Sequence, residues 1–247
     1  MKAMILAAGL GTRLRSLTND RPKALVDVGG RTMLEITLSR LRAFGVRDVI
    51  INVHYFADMV VEHLKKNDNF GMRIEVSRED VLLDTGGGLK KAADFFLKDR
   101  DFETPFILHN VDVISMIDLA RMARFHAENQ ALVTLAVQDR ETSRYLLFDE
   151  KHRLCGRRTG RDQKDELVGS SKPAQALAFS GIHIISPRLF ELMLENGIFS
   201  IVTAYLRLAA QGEKVLAFRA DDYYWRDLGR PDDVLQATRD LKQQILS

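Results

Sequence analysis

The sequence predicts an α/β fold, a three-layer sandwich with helices on both faces of a mixed, mostly parallel sheet. Three observations predict it. Apolar runs of strand length alternate with amphipathic helical stretches up to about residue 138. Beyond that point strands follow one another with few helices between them. The first strand also leaves through a glycine-rich, basic loop, and in sheets of this class ligands gather beyond the carboxyl ends of the strands.

The elements follow in order. "KAMIL" (2–6) is a buried strand without alternation. "TMLEITLSRLRAFG" (32–45) carries Leu34, Leu38 and Leu41 on one helical face and ends in Gly45. "DVIINV" (48–53) is a strand, "FADMVVEHLKK" (56–66) a helix, "RIEVS" (73–77) a strand and "GGLKKAADFFL" (87–97) a helix. "PFILHN" (105–110), "DLARMARFHAEN" (118–129) and "ALVTLAV" (131–137) repeat the alternation. "RYLLFD", "LAFSGIHIIS", "KVLAF" and "YYWRDL" then read as strands, and the polar stretch 150–176 as an exposed loop or hairpin. No linker or internal repeat divides the chain. Residues 1–247 are expected to form one domain, with a nucleotide-binding half at 1–138 and an acceptor half at 139–247.

Composition narrows the function. At 247 residues, 46% hydrophobic and 28% charged, the chain is an ordinary globule that needs no staples. A net charge of +2 gives no footprint for nucleic acid. The single Cys155 excludes an intrachain disulfide and a cysteine metal cluster. No apolar run reaches membrane-spanning length, and the apolar start "MKAMILAA" stops at Gly9, too early for a signal peptide. A cytoplasmic setting is expected, and the oligomeric state stays open.

The loop at 7–23 carries the chemistry. Gly9 and Gly11 permit positive φ and close backbone approach, and exposed N–H groups in such a loop form an anion-binding nest. Arg13 and Lys23 add a planar fork and a mobile point charge, a combination suited to polyphosphate. Two familiar motifs are excluded. The dinucleotide fingerprint requires a third glycine where Leu14 stands, and Pro22 intervenes before the first long helix. Nothing fits the P-loop pattern.

The stretch "LAAGLGTRLRSLTNDRPKALV" (6–26) resembles the signature loop of the sugar-1-phosphate nucleotidyltransferases. It departs from that pattern at Ser16 and, later, at Thr32, where proline is usual. "DTGGGLKKA", "NVDV", "FSGIHIIS" and "WRDLGRPDD" resemble later landmarks of the family in the same order. The resemblance implies a Rossmann-like nucleotide-diphospho-sugar transferase fold. It implies attack of a sugar 1-phosphate on the α-phosphorus of a nucleoside triphosphate, with pyrophosphate leaving. The nucleophile is already an anion, so no general base is needed and catalysis is positioning and charge stabilisation.

On that resemblance Arg13 holds the triphosphate, and Lys23 neutralises the acceptor phosphate or the α-phosphate. Leu6, Ala8, Gly9, Gly11 and Thr12 line the nucleotide. Asp112, in a motif where Val111 replaces the usual glycine, and Asp227 are the expected Mg²⁺ ligands. Glu79, Asp84, Thr85, Gly86 and Gly87 wrap the base, Glu79 accepting from a ring N–H that uracil, thymine and guanine have and adenine and cytosine lack. Gly181 belongs to the sugar site. Lys172 of "SSKP" stands nearer to Gly181 than the family's acceptor lysine does, and the family's Glu-Lys-Pro motif is otherwise missing. "LLDTGGGLKKA" and "LAFSGIHIIS" look most like the N-acetylmuramate-1-phosphate uridylyltransferases, with mannose- or heptose-1-phosphate guanylyltransferases as the alternative. A nucleotide-sugar sensor is a reading of another class. Retention of Arg13, Lys23, Asp112 and Asp227 together argues against it, since a sensor needs affinity and not transition-state stabilisation.

Overall fold

Ten strands join in one sheet, seen in a computed structural model that describes residues 1–159 and 164–243. β1 (Ala3–Leu6) lies near its middle, with Ala3 and Ile5 in the apolar cluster on one face and Met4 in the cluster on the other. α1 (Met33–Ala43) is capped by Thr32, whose hydroxyl accepts from the Glu35 N–H at 3.1 Å. Its Leu34, Leu38 and Leu41 are fully buried, each contributing about 1.5–3 kcal/mol. β2 (Asp48–Val53) runs parallel to β1. α2 (Ala57–Lys66) and β3 (Arg73–Arg78) follow, β3 parallel to β2. α3 (Asp84–Lys91) begins three residues before the sequence reading placed it and stops at Ala92, ahead of α4 (Ala93–Leu97). β4 (Phe106–Asn110) returns to the free side of β1, also parallel. The carboxyl ends of β1, β2, β3 and β4 therefore open on one edge of the sheet.

The second half is antiparallel at the join. β5 (Val113–Ser115) stands apart from the main sheet. α5 (Leu119–Glu128) is capped by the Asp118 carboxylate, which accepts from the Arg121 N–H at 2.9 Å. β6 (Val133–Gln138) and β7 (Arg144–Phe148) come next. The stretch read as loop or hairpin holds β8 (Leu154–Thr159) and β9 (Lys164–Leu167), paired antiparallel; its tip at 160–163 lies outside the described residues. β10 (Gln175–Ile185) is antiparallel to β7 through 175–178 and to β4 through 182–185. The sheet order is β9-β8-β7-β10-β4-β1-β2-β3, with β6 along β10 and β11 (Val215–Arg219) beyond β6. β12 (Trp225–Asp227) pairs with β5.

Among the described residues, two helices of ten or more residues escaped the sequence reading. α6 (Ile201–Ala210) buries five of its ten residues, and Ile201, Ala204, Tyr205 and Leu208 form an i, i+3, i+4, i+7 stripe that was there to be read. α7 (Pro231–Lys242) had a legible start: Pro231 at the head with Asp232 and Asp233 in the first turn. No helix among the described residues is long and apolar enough to cross a membrane.

Three buried histidines make stability acid-sensitive, and burial pushes one of them, His109, down to about 4. His126 bonds the Thr134 hydroxyl and His183 that of Tyr205, each at 2.9 Å. Burial pushes His126 down to about 4 and His183, with a further push from His109, down to about 3. The unfolded chain takes up these protons below pH ~6.5 while the folded chain does not. Stability is therefore fully present above that pH and falls as pH drops toward 4 for His109 and His126 and toward 3 for His183. Each histidine is expected to cost on the order of 2 kcal/mol at pH 5. Urea midpoints at pH 7.5 and pH 5 test this, and a His126→Asn chain with the wild-type pH slope would refute it.

Candidate active site

β1 hands over to the glycine loop at a fixed angle, because the Ala7 N–H donates to the Asn52 side chain of β2 at 2.8 Å. Gly11 turns the loop at φ +63°; a Cβ there would stand 3.0 Å from Thr18 and 3.3 Å from Lys23. The Thr18 hydroxyl donates to the Gly11 carbonyl at 3.0 Å and closes the turn. Leu14 is buried beneath it and Arg13 is exposed. Lys23, only 8% exposed, places its ammonium on the Asp112 carboxylate.

Asp227 reaches the same spot from the far end of the chain. It ends β12 opposite Val113 of β5, and the next residue, Leu228, donates its N–H to the Asp112 carbonyl at 2.7 Å. The Gly229 N–H donates to the Asp227 carboxylate at 2.6 Å. A Cβ on Gly229 would lie 2.5 Å from that carboxylate and 2.9 Å from the Arg13 guanidinium, so only glycine lets the two pass so closely. Arg13, Lys23, Asp112 and Asp227 thus share one centre. Burial raises the Asp227 carboxyl above its usual range, the Asp112 charge raises it further, and Lys23 and Arg13 oppose the rise. Two converging carboxylates with an ammonium already resting on one of them suit a hard divalent cation. No cluster of three or more His, Cys, Asp or Glu groups able to hold a metal occurs among the described residues. Mg²⁺ characteristically fills such remaining positions with phosphate oxygens and water.

Three connected spaces open around this centre. A pocket of about 260 Å³ is lined by Leu6, Gly9, Gly11, Thr12, Arg13, Lys23, Val111, Asp112 and Gly229. A second, of about 380 Å³ and mostly apolar, is lined by Leu6, Ala8, Gly9, Asn52, Leu82, Asp84, Thr85, Asn110, Asp112 and Ile198 and is the candidate slot for a base. The third, of about 730 Å³, spreads over the antiparallel half. Six arginines line it, Arg13, Arg140, Arg144, Arg157, Arg226 and Arg230, against the carboxylates Asp112, Glu141, Asp227 and Asp233.

Several expected site residues sit elsewhere. Glu79 is 4% exposed and lines none of the three spaces. One oxygen accepts from the Asn52 amide at 2.7 Å and the other from the Leu83 N–H at 2.9 Å. Its carboxylate is spent on fixing Asn52 and the 82–84 turn, and the acids that line the candidate base slot are Asp84 and Asp112. Gly86 and Gly87 do not clear space for a ligand. A Cβ on Gly86 would strike the Phe199 ring at 2.3 Å, and one on Gly87 the Gly197 carbonyl at 2.4 Å. Gly181, buried at φ +75°, backs onto Val113 and Asn110 and lines none of the three spaces. Lys172 is exposed and lines none either.

Sequence reasoning missed Asn52 and Arg140, and it included Asn110 only as part of "NVDV", without a role of its own. Asn52 had a signal, a polar residue inside the apolar run "DVIINV"; Arg140 had none. The inward Glu79 changes an expectation. In Glu79→Gln the new amide N–H₂ faces either the Leu83 N–H or the Asn52 N–H₂, donor against donor. KM is expected to rise by about tenfold for every triphosphate alike, with base preference unchanged. A selective gain for CTP or ATP would restore Glu79 to the base.

Comparison with known proteins places the chain. The nucleotidyl transferase family model matches residues 2–244. The chain is 34% identical over 243 residues to the mannose-1-phosphate guanyltransferase of Yarrowia lipolytica, covering 96% of this chain and 63% of that protein. It is 34% identical over 252 residues to the N-acetylmuramate alpha-1-phosphate uridylyltransferase of Caulobacter vibrioides, covering 98% and 97%. It therefore spans less than two thirds of the fungal protein's length. HddC of Yersinia pseudotuberculosis, solved with GMP-PN, superposes with a TM-score of 0.75 at 23% identity, covering 97% of this chain and 99% of that one. A Bacillus anthracis protein solved with sucrose gives 0.79 at 18%, covering 97% and 94%. At these identities the likeness is one of fold, the nucleotide-diphospho-sugar transferase fold. With that fold, and with a family model matched from residue 2 to residue 244, the chain belongs to the nucleotidyl transferase family.

Proposed function

We propose that the protein transfers a nucleotidyl group from a nucleoside triphosphate to a sugar 1-phosphate, with UTP and N-acetylmuramate 1-phosphate as its pair. The observation that carries the reaction class is the convergence of Arg13, Lys23, Asp112 and Asp227 beside a glycine loop. An acceptor phosphate oxygen forms a bond to the α-phosphorus, and the bond from that phosphorus to the bridging oxygen breaks. Pyrophosphate carries off the electron pair and no proton moves. Arg13 lies on the loop side and holds the departing phosphates, while Lys23 neutralises charge at the α-phosphate. Asp112 and Asp227 are the residues that would hold Mg²⁺, which supplies charge neutralisation across the phosphates. The apolar base slot excludes water from one side of the donor.

The choice of pair has two supports. "LLDTGGGLKKA" and "LAFSGIHIIS" resemble the uridylyltransferase branch. The six arginines against four carboxylates in the acceptor cleft suit a sugar with a second anion, such as the lactyl carboxylate of muramate, better than neutral mannose. GTP with mannose or heptose 1-phosphate is the second reading, supported by the equal identity to the Yarrowia guanyltransferase. Pyrophosphate release from four triphosphates crossed with these sugar 1-phosphates tests both. A GTP optimum would replace the pair, and no release from any combination would leave the sensor reading.

A further inference from the structure

Arg140 is held in the acceptor cleft in a way that neither the glycine loop nor the metal groups account for. It leaves β6 just after Gln138, whose amide donates to the carbonyls of Ala220 and Tyr223 at 2.8 and 3.1 Å and pins the strand end. Its guanidinium lies 3.7 Å from the centre of the Trp225 ring. One terminal nitrogen donates to the Phe179 carbonyl at 2.8 Å. The Trp225 indole N–H donates to the neighbouring Ser180 carbonyl at 2.7 Å, so the ring cannot swing away. The Arg140 Nε is buried and has no hydrogen-bond partner among the described residues. No carboxylate pairs with Arg140 among the described residues either. The ring and the carbonyl orient this cation without neutralising it.

Other arginines of the cleft are placed differently. Arg157 is paired with Glu166 at 2.6 Å and Arg226 with Asp240 at 3.2 Å. Arg144 and Arg230 are exposed. Arg140 is the half-buried guanidinium fixed on the acceptor side. Burial lowers its pKa, and the Asp227 charge works against that fall, which places it within electrostatic reach of the reaction centre. It lines the cleft that contains Asp112 and Asp227 but not the loop pocket or the base slot.

We infer that Arg140 binds the phosphate of the incoming sugar 1-phosphate and aims it at the α-phosphorus. The inference rests on the transferase reading above. In-line displacement requires the acceptor phosphate to arrive opposite the leaving pyrophosphate. Arg13 and Lys23 serve the loop side, so the entering anion needs a cation on the other side of the two aspartates. A guanidinium that lines the cleft, has no carboxylate partner among the described residues and is stacked so that its plane is fixed meets that need.

The test uses full-length Arg140→Ala and Arg140→Lys with the wild type. Isothermal titration with N-acetylmuramate α-1-phosphate and α-mannose 1-phosphate, in the absence of triphosphate, reads acceptor binding without turnover. Arg140→Ala is expected to weaken the acceptor that the wild type uses by about tenfold or more, in both Kd and KM. KM for the triphosphate should stay within about twofold and Arg140→Lys should recover part of the loss. A purely structural clamp would instead lower the melting temperature and raise both KM values together, and that outcome overturns the assignment. So does unchanged acceptor binding in a folded Arg140→Ala chain while the wild type is active. If the wild type neither binds nor uses any sugar 1-phosphate, the transferase reading fails and this inference fails with it.

Discussion

Asp112→Asn is expected to lower turnover by on the order of 10²-fold or more, the cost of one charge-stabilising group at a reaction centre. Its carboxylate lies beside Lys23 and Asp227 where the three clefts meet. The substitution preserves size and removes only charge. Stability should change little, because the asparagine keeps an oxygen that can accept from the Lys23 ammonium and the Asp227 charge stays within electrostatic reach. A melting temperature within about 4 °C of wild type is expected, equivalent to roughly 1 kcal/mol in a chain of this size. Turnover measured across a Mg²⁺ titration, beside the melting curve, separates the two effects. Near-normal Mg²⁺-dependent turnover would remove Asp112 from the metal site. A large loss of melting temperature would recast it as a structural anchor for Lys23.

Lys23→Ala is expected to produce the second large loss, again on the order of 10²-fold and chiefly in kcat. It also makes a claim that can be read without turnover. Removing the ammonium leaves Asp112 and Asp227 facing each other with Arg13 as the nearby cation. Such a pair repels unless another cation enters. The variant should melt below wild type in chelator and gain more from millimolar Mg²⁺ than wild type does. Equal Mg²⁺ responses in the two proteins would mean that Lys23 does not occupy the place where a divalent cation binds. Arg13→Ala is expected to act differently, raising KM for the triphosphate more than it lowers kcat. Arg13 is exposed on the loop and lines the loop pocket but not the candidate base slot, the place that the proposed grip on phosphates requires.

Much of this protein was legible in its residues because the relevant physics is local. The unbroken apolar run of β1 and the alternation of strands with helices such as "TMLEITLSRLRAFG" set the layered sheet, since burial on two faces dictates composition along the chain. Gly11 had to turn, and Arg13 and Lys23 lie within the same short loop, so their grouping needed no knowledge of distant segments. α6 was equally legible, since Ile201, Ala204, Tyr205 and Leu208 fall on one helical face, and its omission was a failure of reading and not of signal.

The partners of each charge were decided only in three dimensions. Nothing local to "WRDLG" states that β12 will pair with β5, yet that pairing sets Asp227 beside Asp112. Glu79 reads as a carboxylate free for a base until the fold brings Asn52 and the Leu83 N–H to its two oxygens. The glycines of "DTGGG" read as room for a ligand until Phe199 and Gly197 fill that room. Arg140 has no motif at all, and acquires its meaning from Trp225, Phe179 and Asp227, which arrive from remote parts of the chain. The residue type sets what a side chain can donate, accept or neutralise. Which neighbour takes up that capacity depends on long-range strand pairing, whose register the local sequence period does not carry.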